Sequence, residues 1–308
     1  MVALPAPATP TLSAIYAAYE ADADDGFRPH LGASVIGTEC ERAMWLGFRW
    51  ATRASFSGRM LRLFETGQLE EARLVRNLRR TGATVLDRDP DNGRQWRVEA
   101  LNGHFGGSLD AIAIDLLEAP KTWHVVDFKT HSRHSFADLK RQGVQKSKPR
   151  HYAQMQIYMH LIGMTRAMYV AVCKDTDEIH VERIHADPAV TTRLLAKAQR
   201  VIEAARPAFR LASDPESWQC RFCDHRAVCH CEAAAERTCR TCLHATPVED
   251  GAWHCARRDR LLSPAEQRQG CPNHLFVPDL IPGEVIDAGD DWVAYRMLDG
   301  GIWKDGAP

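Results

Sequence analysis

No stretch of this chain approaches the ~18 consecutive apolar residues of a membrane-crossing helix, so no span is expected. Its first 13 residues lack a basic segment followed by an apolar one. They are rich in Pro and Ala and read as a short unstructured lead, not a secretion signal, which makes the cytoplasm the expected compartment. Net charge is nearly absent too: 39 Lys and Arg stand against 40 Asp and Glu. A formal charge of −1 gives no whole-molecule attraction to nucleic acid and leaves any such attraction to local patches. Two patches are visible, Arg73, Arg76, Arg79 and Arg80 in one place and Lys140, Arg141, Lys146, Lys148 and Arg150 in another, with a solvated helix face as the bland alternative for each. Internal repeats of solenoid type are missing, and 45% hydrophobic with 26% charged residues is a globular composition.

Cysteine, by contrast, is plentiful and unevenly spread. Cys40 and Cys173 stand apart, and the other eight fall between Cys220 and Cys271. In a reducing compartment such clustering argues for metal ligation before disulfides. Cys173 lies in an expected strand and reads as core.

Apolar spacing predicts helices over 14–19, 34–50 and 59–80, the last with Leu61, Phe64, Leu69, Val75 and Leu78 as its buried stripe. Strands are expected over 83–86, 95–101, 104–116 and 122–130, separated by turn signals such as Asp91-Asn92-Gly93. A polar, basic connection leads to a helix over 149–163, strands over 167–173 and 178–184, and a helix over 188–211. This order predicts an α/β fold, a mixed sheet flanked by helices, in one domain of roughly 215 residues. Beyond it the periodicity fades, and metal would have to supply part of the stability. The tail, 277–308, is expected to form a small hairpin without chemistry of its own.

The most informative stretch is Gly106-Gly107-Ser108-Leu109-Asp110, followed by Val125-Val126-Asp127-Phe128-Lys129-Thr130. Alternate residues of a strand share a face, so Asp127 and Lys129 point one way while Val126 and Phe128 point into a core. Two carboxylates and an ammonium on adjoining strands can hold a divalent cation and a water beside a phosphate. The lysine can orient the water and stabilise developing negative charge. A surface ion pair is the bland reading of Asp-x-Lys alone.

In order, Asp110, Asp127-Phe128-Lys129 and Gln154-x-x-x-Tyr158 resemble the motif set of RecB-like PD-(D/E)XK nucleases. The resemblance implies a restriction-endonuclease-like fold, Mg²⁺- or Mn²⁺-dependent phosphodiester hydrolysis, and DNA as partner. It implies metal ligation by Asp110 and Asp127, handling of water and charge by Lys129, and positioning by Gln154 and Tyr158. Upstream, Gly67-Gln68-Leu69-Glu70-Glu71 resembles the helix motif before the core; where RecB-like members often carry histidine this chain has Glu71, as phage exonucleases of the lambda type have glutamate. Glu71 is thus a third candidate ligand, with Glu70 as the runner-up. The run 149–156 also resembles the phage-type exonucleases, whose setting would be DNA recombination or repair beside a single-strand annealing protein or a helicase.

Cys220-x2-Cys223-x5-Cys229, together with Cys40, is a thiolate set that chemistry alone allows for zinc or an iron–sulfur cluster. The spacing resembles the iron–sulfur nucleases of the same superfamily, including AddB and the CRISPR adaptation nucleases. That resemblance implies a 4Fe-4S cluster on Cys40, Cys220, Cys223 and Cys229, with Cys231 as the alternative last ligand. Arg42 is a candidate DNA-phosphate contact, with a generic salt bridge as its alternative, and Lys146, Lys148 and Arg150 are further DNA candidates. Cys239-x2-Cys242, then Cys255 and Cys271, fit a zinc-ribbon-like module, with His244, His254 and His274 as nearby substitutes. The expected organisation is a lead and helix over 1–30, a nuclease domain over 31–231 and a zinc-binding module with tail over 232–308. The expected activity is that of an exonuclease. The rivals are a structure-specific endonuclease, an inactive DNA-binding subunit and a redox protein.

Overall fold

Two sheets meet where the acidic residues lie, in a computed structural model that describes residues 9–24 and 26–306. The lead expected over 1–13 lies outside the described residues up to position 8; from Pro10 the chain is helical, α1 being Pro10–Ala21. Proline suits that first position, because a helix leaves the N–H it lacks unpaired there anyway. A two-residue strand β1 (Leu31–Gly32) and a 3₁₀ turn (Ala33–Val35) precede α2 (Glu41–Phe48). The helix expected over 34–50 is therefore broken. Cys40 starts its second part as N-cap, its sulfur accepting the Ala43 N–H at 3.4 Å.

Ser57 caps α3 (Gly58–Arg80) by the same device. The stripe expected on this helix holds only at its C-terminal half. Val75 is buried and Leu78 packs against the core, but Phe64 and Leu69 are exposed. The physical reason is that the N-terminal half runs beside α1 and off the sheet.

β2 (Thr84–Leu86), β3 (Arg97–Ala100), β4 (Phe105–Ser108), β5 (Ala111–Ile114) and β6 (His124–His131) follow. Next come α4 (Arg133–Ser147), α5 (Pro149–Leu161), β7 (Arg166–Cys173), β8 (Ile179–His185) and α6 (Pro188–Glu203). The main sheet has the order β2-β5-β6-β7-β8, with β6 and β7 parallel and the other pairs antiparallel. A smaller sheet has the order β1-β4-β3. The single strand expected over 104–116 is thus two strands in two sheets, and Leu109-Asp110 is the step between them. Leu109 anchors the step: its side chain is fully buried and its N–H bonds the Trp96 carbonyl at 3.0 Å. Glycine is required just before it, since a Cβ on Gly106 would lie 2.2 Å from the Val98 carbonyl oxygen.

The main sheet separates two cores. Val126, Phe128 and Val170 pack with Leu74 and Val75 of α3 on one side. Val125, Tyr169 and Ala171 pack with Phe136 of α4 and Met155 of α5 on the other. The polar connection expected before α5 is itself helix α4, capped by Ser132 and kinked at Gly143, where φ is 73°. Only Phe136, Leu139 and Val144 of it are buried, too few for the periodicity to show in the sequence. The helix expected to reach residue 211 stops at Glu203, where Ala204 turns extended.

The C-terminal region holds α7 (Arg226–Cys229), β9 (Ala245–Pro247), β10 (Trp253–Cys255), β11 (Arg260–Leu262) and α8 (Pro264–Gln269). Its tail is a three-stranded antiparallel sheet, β12 (Gly283–Gly289), β13 (Trp292–Met297) and β14 (Ile302–Gly306), in place of the expected hairpin. The buried Asp305 carboxylate ties this sheet back by accepting the Phe276 N–H at 2.6 Å. Trp253 is fully buried against Phe48 of α2 and His104, so the C-terminal region shares the core on the α5 side of the main sheet. Among the described residues no helix is long and apolar enough to cross a membrane.

Removing a fully buried aromatic costs about 3–5 kcal/mol. Trp253→Ala is therefore expected to lower the single melting transition of the whole chain in calorimetry. A core transition that stays in place while only the C-terminal region loosens would show the two to be independent.

Candidate active site

Alternation along β6 puts Asp127, Lys129 and His131 on the face that meets α5. Asp110, at the step before β5, lies beside them. Its Oδ2 accepts the Phe128 N–H at 2.8 Å and is 3.6 Å from Lys129 Nζ. Lys129 Nζ donates to Asp127 Oδ1 at 2.7 Å and to the Phe128 carbonyl at 3.1 Å. Asp127 is almost fully buried, and its Oδ2 has no hydrogen-bond partner among the described residues. A buried carboxylate oxygen left unpaired is costly and points to a missing cation or donor.

Burial raises the carboxyl pKa values of both Asp110 and Asp127, and Lys129 opposes the rise. Burial would lower the lysine, but the two aspartates outweigh it and hold the ammonium above its ordinary value. Glu71 belongs to the same field. Burial, then the nearby Asp110, pushes its carboxyl up to about 7, with Lys129 pulling the other way. Three acids thus share one ammonium. The runner-up, Glu70, bonds Arg73 through Oε1 at 3.2 Å, and its Oε2 is buried with no hydrogen-bond partner among the described residues.

Gln154 and Tyr158 lie one turn apart on α5 and are both buried. The Gln154 amide donates to the Tyr158 hydroxyl at 3.1 Å, leaving the tyrosine proton free for another acceptor. Burial pushes this phenol up to about 12, so it stays protonated. The same hydroxyl lies 2.5 Å from where a Cβ on Gly107 would be, which explains the second glycine.

One cluster escaped the sequence reading. The Tyr169 hydroxyl lies 2.7 Å from His131 Nε2 and 2.9 Å from His151 Nδ1, and His131 Nδ1 lies 3.1 Å from Ser135 Oγ. Burial, then neighbouring groups, lowers His131 to about 4 and His151 to about 3, so both rings are neutral. The available signal was positional: His131 is two residues past Lys129, and His151 is three before Gln154.

The basic candidates separate. Lys146 and Arg150 are exposed, whereas Lys148 is half-buried near Asp138. Arg42 is buried, with Nη1 on the Ala208 carbonyl at 3.1 Å and its Nε without a hydrogen-bond partner among the described residues. In the other basic group, Arg73 pairs with Glu70 and Asp177, and Arg79 with Asp87.

Cys40, Cys220, Cys223 and Cys229 line one small cavity. Cys231 does not line it, and its sulfur instead takes the Arg210 guanidinium at 3.5 Å. Cys239, Cys242, Cys255 and Cys271 line a second cavity with His244 and His274, while His254 pairs with Asp259. Burial, then the neighbouring Cys271, Cys242 and Cys255, pushes the Cys239 thiol up to about 11. Its Sγ donates to the Glu266 carbonyl at 3.3 Å, as a protonated thiol would. As the side chains stand, no group of three or more His, Cys, Asp or Glu among the described residues is arranged to hold a metal ion. Sharing a cavity is thus a weaker fact than ligating geometry.

A family model described as the PD-(D/E)XK nuclease superfamily matches residues 38–230. That span takes in Cys40, the three acids, Lys129, α5 and Cys229, and it stops before the second cysteine set. No curated protein matches the chain. Solved structures similar to it include an alkaline exonuclease, LHK-Exo, from Laribacter hongkongensis, at 16% identity and a TM-score of 0.39, covering 61% of this chain and 90% of that one. A protein named SSO0001 is 17% identical, with a TM-score of 0.42 and coverage of 72% and 95%. A phage-related exonuclease from Haemophilus somnus 129PT is 14% identical, with a TM-score of 0.39 and coverage of 56% and 92%. Overlaps this loose carry no weight beside the family match.

The Glu71 shift has a checkable sign. Unfolded, the group ionises near 4.5; folded and without metal, near 7. The folded state therefore holds a proton that the unfolded chain has lost between these values, and stability falls as pH rises from about 4.5 to about 7. Metal-free Glu71→Gln is expected to flatten that part of a melting-temperature profile; a slope equal to the parent's would place the proton elsewhere.

Proposed function

Because the chain belongs to the PD-(D/E)XK nuclease superfamily it is a nuclease, and we propose that it hydrolyses DNA phosphodiester bonds from strand ends with Mg²⁺ or Mn²⁺. The observation that carries this reading is the gathering of Glu71, Asp110 and Asp127 around one lysine, with Asp127 Oδ2 unpartnered. An excess of negative charge with a free buried oxygen fits a divalent cation, and these three residues would hold it. When bound, the cation supplies Lewis acidity and a more acidic water.

The chain's own residues do the rest. Lys129, kept charged by the aspartates, orients the attacking water and offsets charge on the phosphoryl oxygens. Tyr158, its oxygen already taken by Gln154, donates its proton toward the phosphate or the water. Lys146 and Arg150, exposed at the junction of α4 and α5, would bind phosphates of the strand. Action from ends is supported by the resemblance of residues 149–156 to phage-type exonucleases.

The cysteine sets complete the proposal. A 4Fe-4S cluster on Cys40, Cys220, Cys223 and Cys229 fits four thiols around one cavity and would clasp α2 to a segment some 180 residues later. Zinc on Cys239, Cys242, Cys255 and Cys271 fits the second cavity. Arg49 and Arg240, buried beside it without a carboxylate partner among the described residues, favour a centre of net negative charge.

Asp127→Ala or Lys129→Ala is expected to abolish hydrolysis of end-labelled linear DNA in Mn²⁺ while keeping the parent's circular dichroism. Parent rates in both variants would remove the assignment, and cutting of covalently closed circles by the parent would replace end-directed action with endonuclease action. Anaerobically purified protein is expected to carry about four irons and about one zinc. Cys40→Ala is expected to lose the iron and melt lower. Iron loss with an unchanged melting temperature would make the cluster something other than a clasp.

A further inference from the structure

Between two of the clustered cysteines the chain exposes a side chain that nothing above uses. Phe222 is 82% exposed, and Trp218 nearby is 70% exposed. The Arg221 guanidinium lies over the Phe222 ring, 4.7 Å from its centre. Backbone hydrogen bonds fold the segment: Cys223 N–H bonds the Cys220 carbonyl at 2.8 Å, and the Cys220 and Arg221 N–H groups both bond the Ser217 carbonyl at 3.0 Å. Trp218 and Phe222 thus place two exposed aromatic rings on one short turn-rich segment, beside a guanidinium.

Phe222 also lines an open cavity of about 420 Å³, along with Arg28, His30, Arg150 and Asp224. Two arginines against one aspartate suit a polyanion. Two walls of the cavity belong to elements that also border the active site. Arg150 is the second residue of α5, which carries Gln154 and Tyr158. Leu31–Gly32, in the same lining, pairs with Phe105 and Gly106, next to the Gly107 that abuts Tyr158.

We propose that Phe222, flanked by Trp218 and Arg221, is a base-stacking surface for a single-stranded segment of DNA whose backbone follows the Arg28–Arg150 cavity toward the active site. The inference rests on the DNA-nuclease reading and adds a strand preference to it. Inside a duplex both faces of each base are covered and only the two terminal pairs expose one face, whereas every base of a single strand can be offered to a ring on the cavity rim. Stacking tolerates any base sequence, and an adjacent guanidinium adds attraction to phosphate and ring alike.

Full-length parent and Phe222→Ala are compared by fluorescence anisotropy on a labelled 20-nucleotide single strand and on a blunt duplex of the same length, in EDTA so that nothing is cut. The variant is expected to bind the single strand roughly tenfold more weakly, with a much smaller change on the duplex, and Phe222→Trp is expected to restore binding. Phe222 is exposed, so the variant's melting temperature should match the parent's. Equal single-strand affinity in parent and Phe222→Ala overturns the inference while leaving a parent that cuts DNA as the nuclease proposed above. A parent that neither binds nor cuts DNA sinks both readings. A change only in self-association on sedimentation would give this surface to a second copy of the chain and overturn the proposal as well.

Discussion

Three carboxyl groups and one ammonium share the step between the two sheets, and much of what surrounds them follows from that imbalance. An ionised group taken out of water costs several kcal/mol unless it is paired. Lys129 offsets one charge, the Phe128 N–H supports Asp110, and Asp127 keeps one oxygen unpaired. Glu71 responds by holding its proton up to about pH 7. The step itself needs glycine at 106 and 107, because the chain there presses against the Val98 carbonyl and the Tyr158 hydroxyl. Tyr158 in turn is fixed by Gln154, so α5 and the step are fitted to each other through one hydrogen-bonded pair.

The C-terminal region has the same difficulty with the opposite sign. Arg240 enters the nuclease side, bonding the Phe48 and Pro29 carbonyls and lying 3.7 Å from the centre of the Trp50 ring. Arg49 crosses the other way to the Ala245 carbonyl and the Trp253 ring. Burial, then Arg49 and Arg268, lowers Arg240 to about 8; burial lowers Arg49 to about 10, opposed by the Cys242 sulfur. Carbonyls and ring faces keep these cations tolerable, and thiolates in the adjoining cavity would bring the opposite charge.

The elements that carry the site were legible because their signals are local. Asp127 and Lys129 lie two apart on one strand, Gln154 and Tyr158 four apart on one helix, and the cysteine pairs three apart. What depends on chain paths was not. Residues 104–116 read as one strand, since nothing in Leu109-Asp110 announces a change of sheet. Helix α4 was hidden because just Phe136, Leu139 and Val144 of it reach the core. Phe64 and Leu69 have helical spacing whether or not a sheet lies beneath them. The burial of Arg42 against the Ala208 carbonyl, 166 residues on, likewise has no local signal. The His131–Tyr169–His151 cluster joins two strands and a helix, and no linear pattern encodes it.

The central claim is that the step is a cation site whose charge deficit Glu71 reports. Isothermal titration of Mn²⁺ at pH 6.5, in two buffers of different ionisation enthalpy, counts the protons released on binding. Release of a substantial fraction of one proton is expected from the parent, with none from Glu71→Gln and severely weakened binding in Asp127→Asn. Binding by Asp127→Asn equal to the parent's, or parent binding without proton release, would contradict the account.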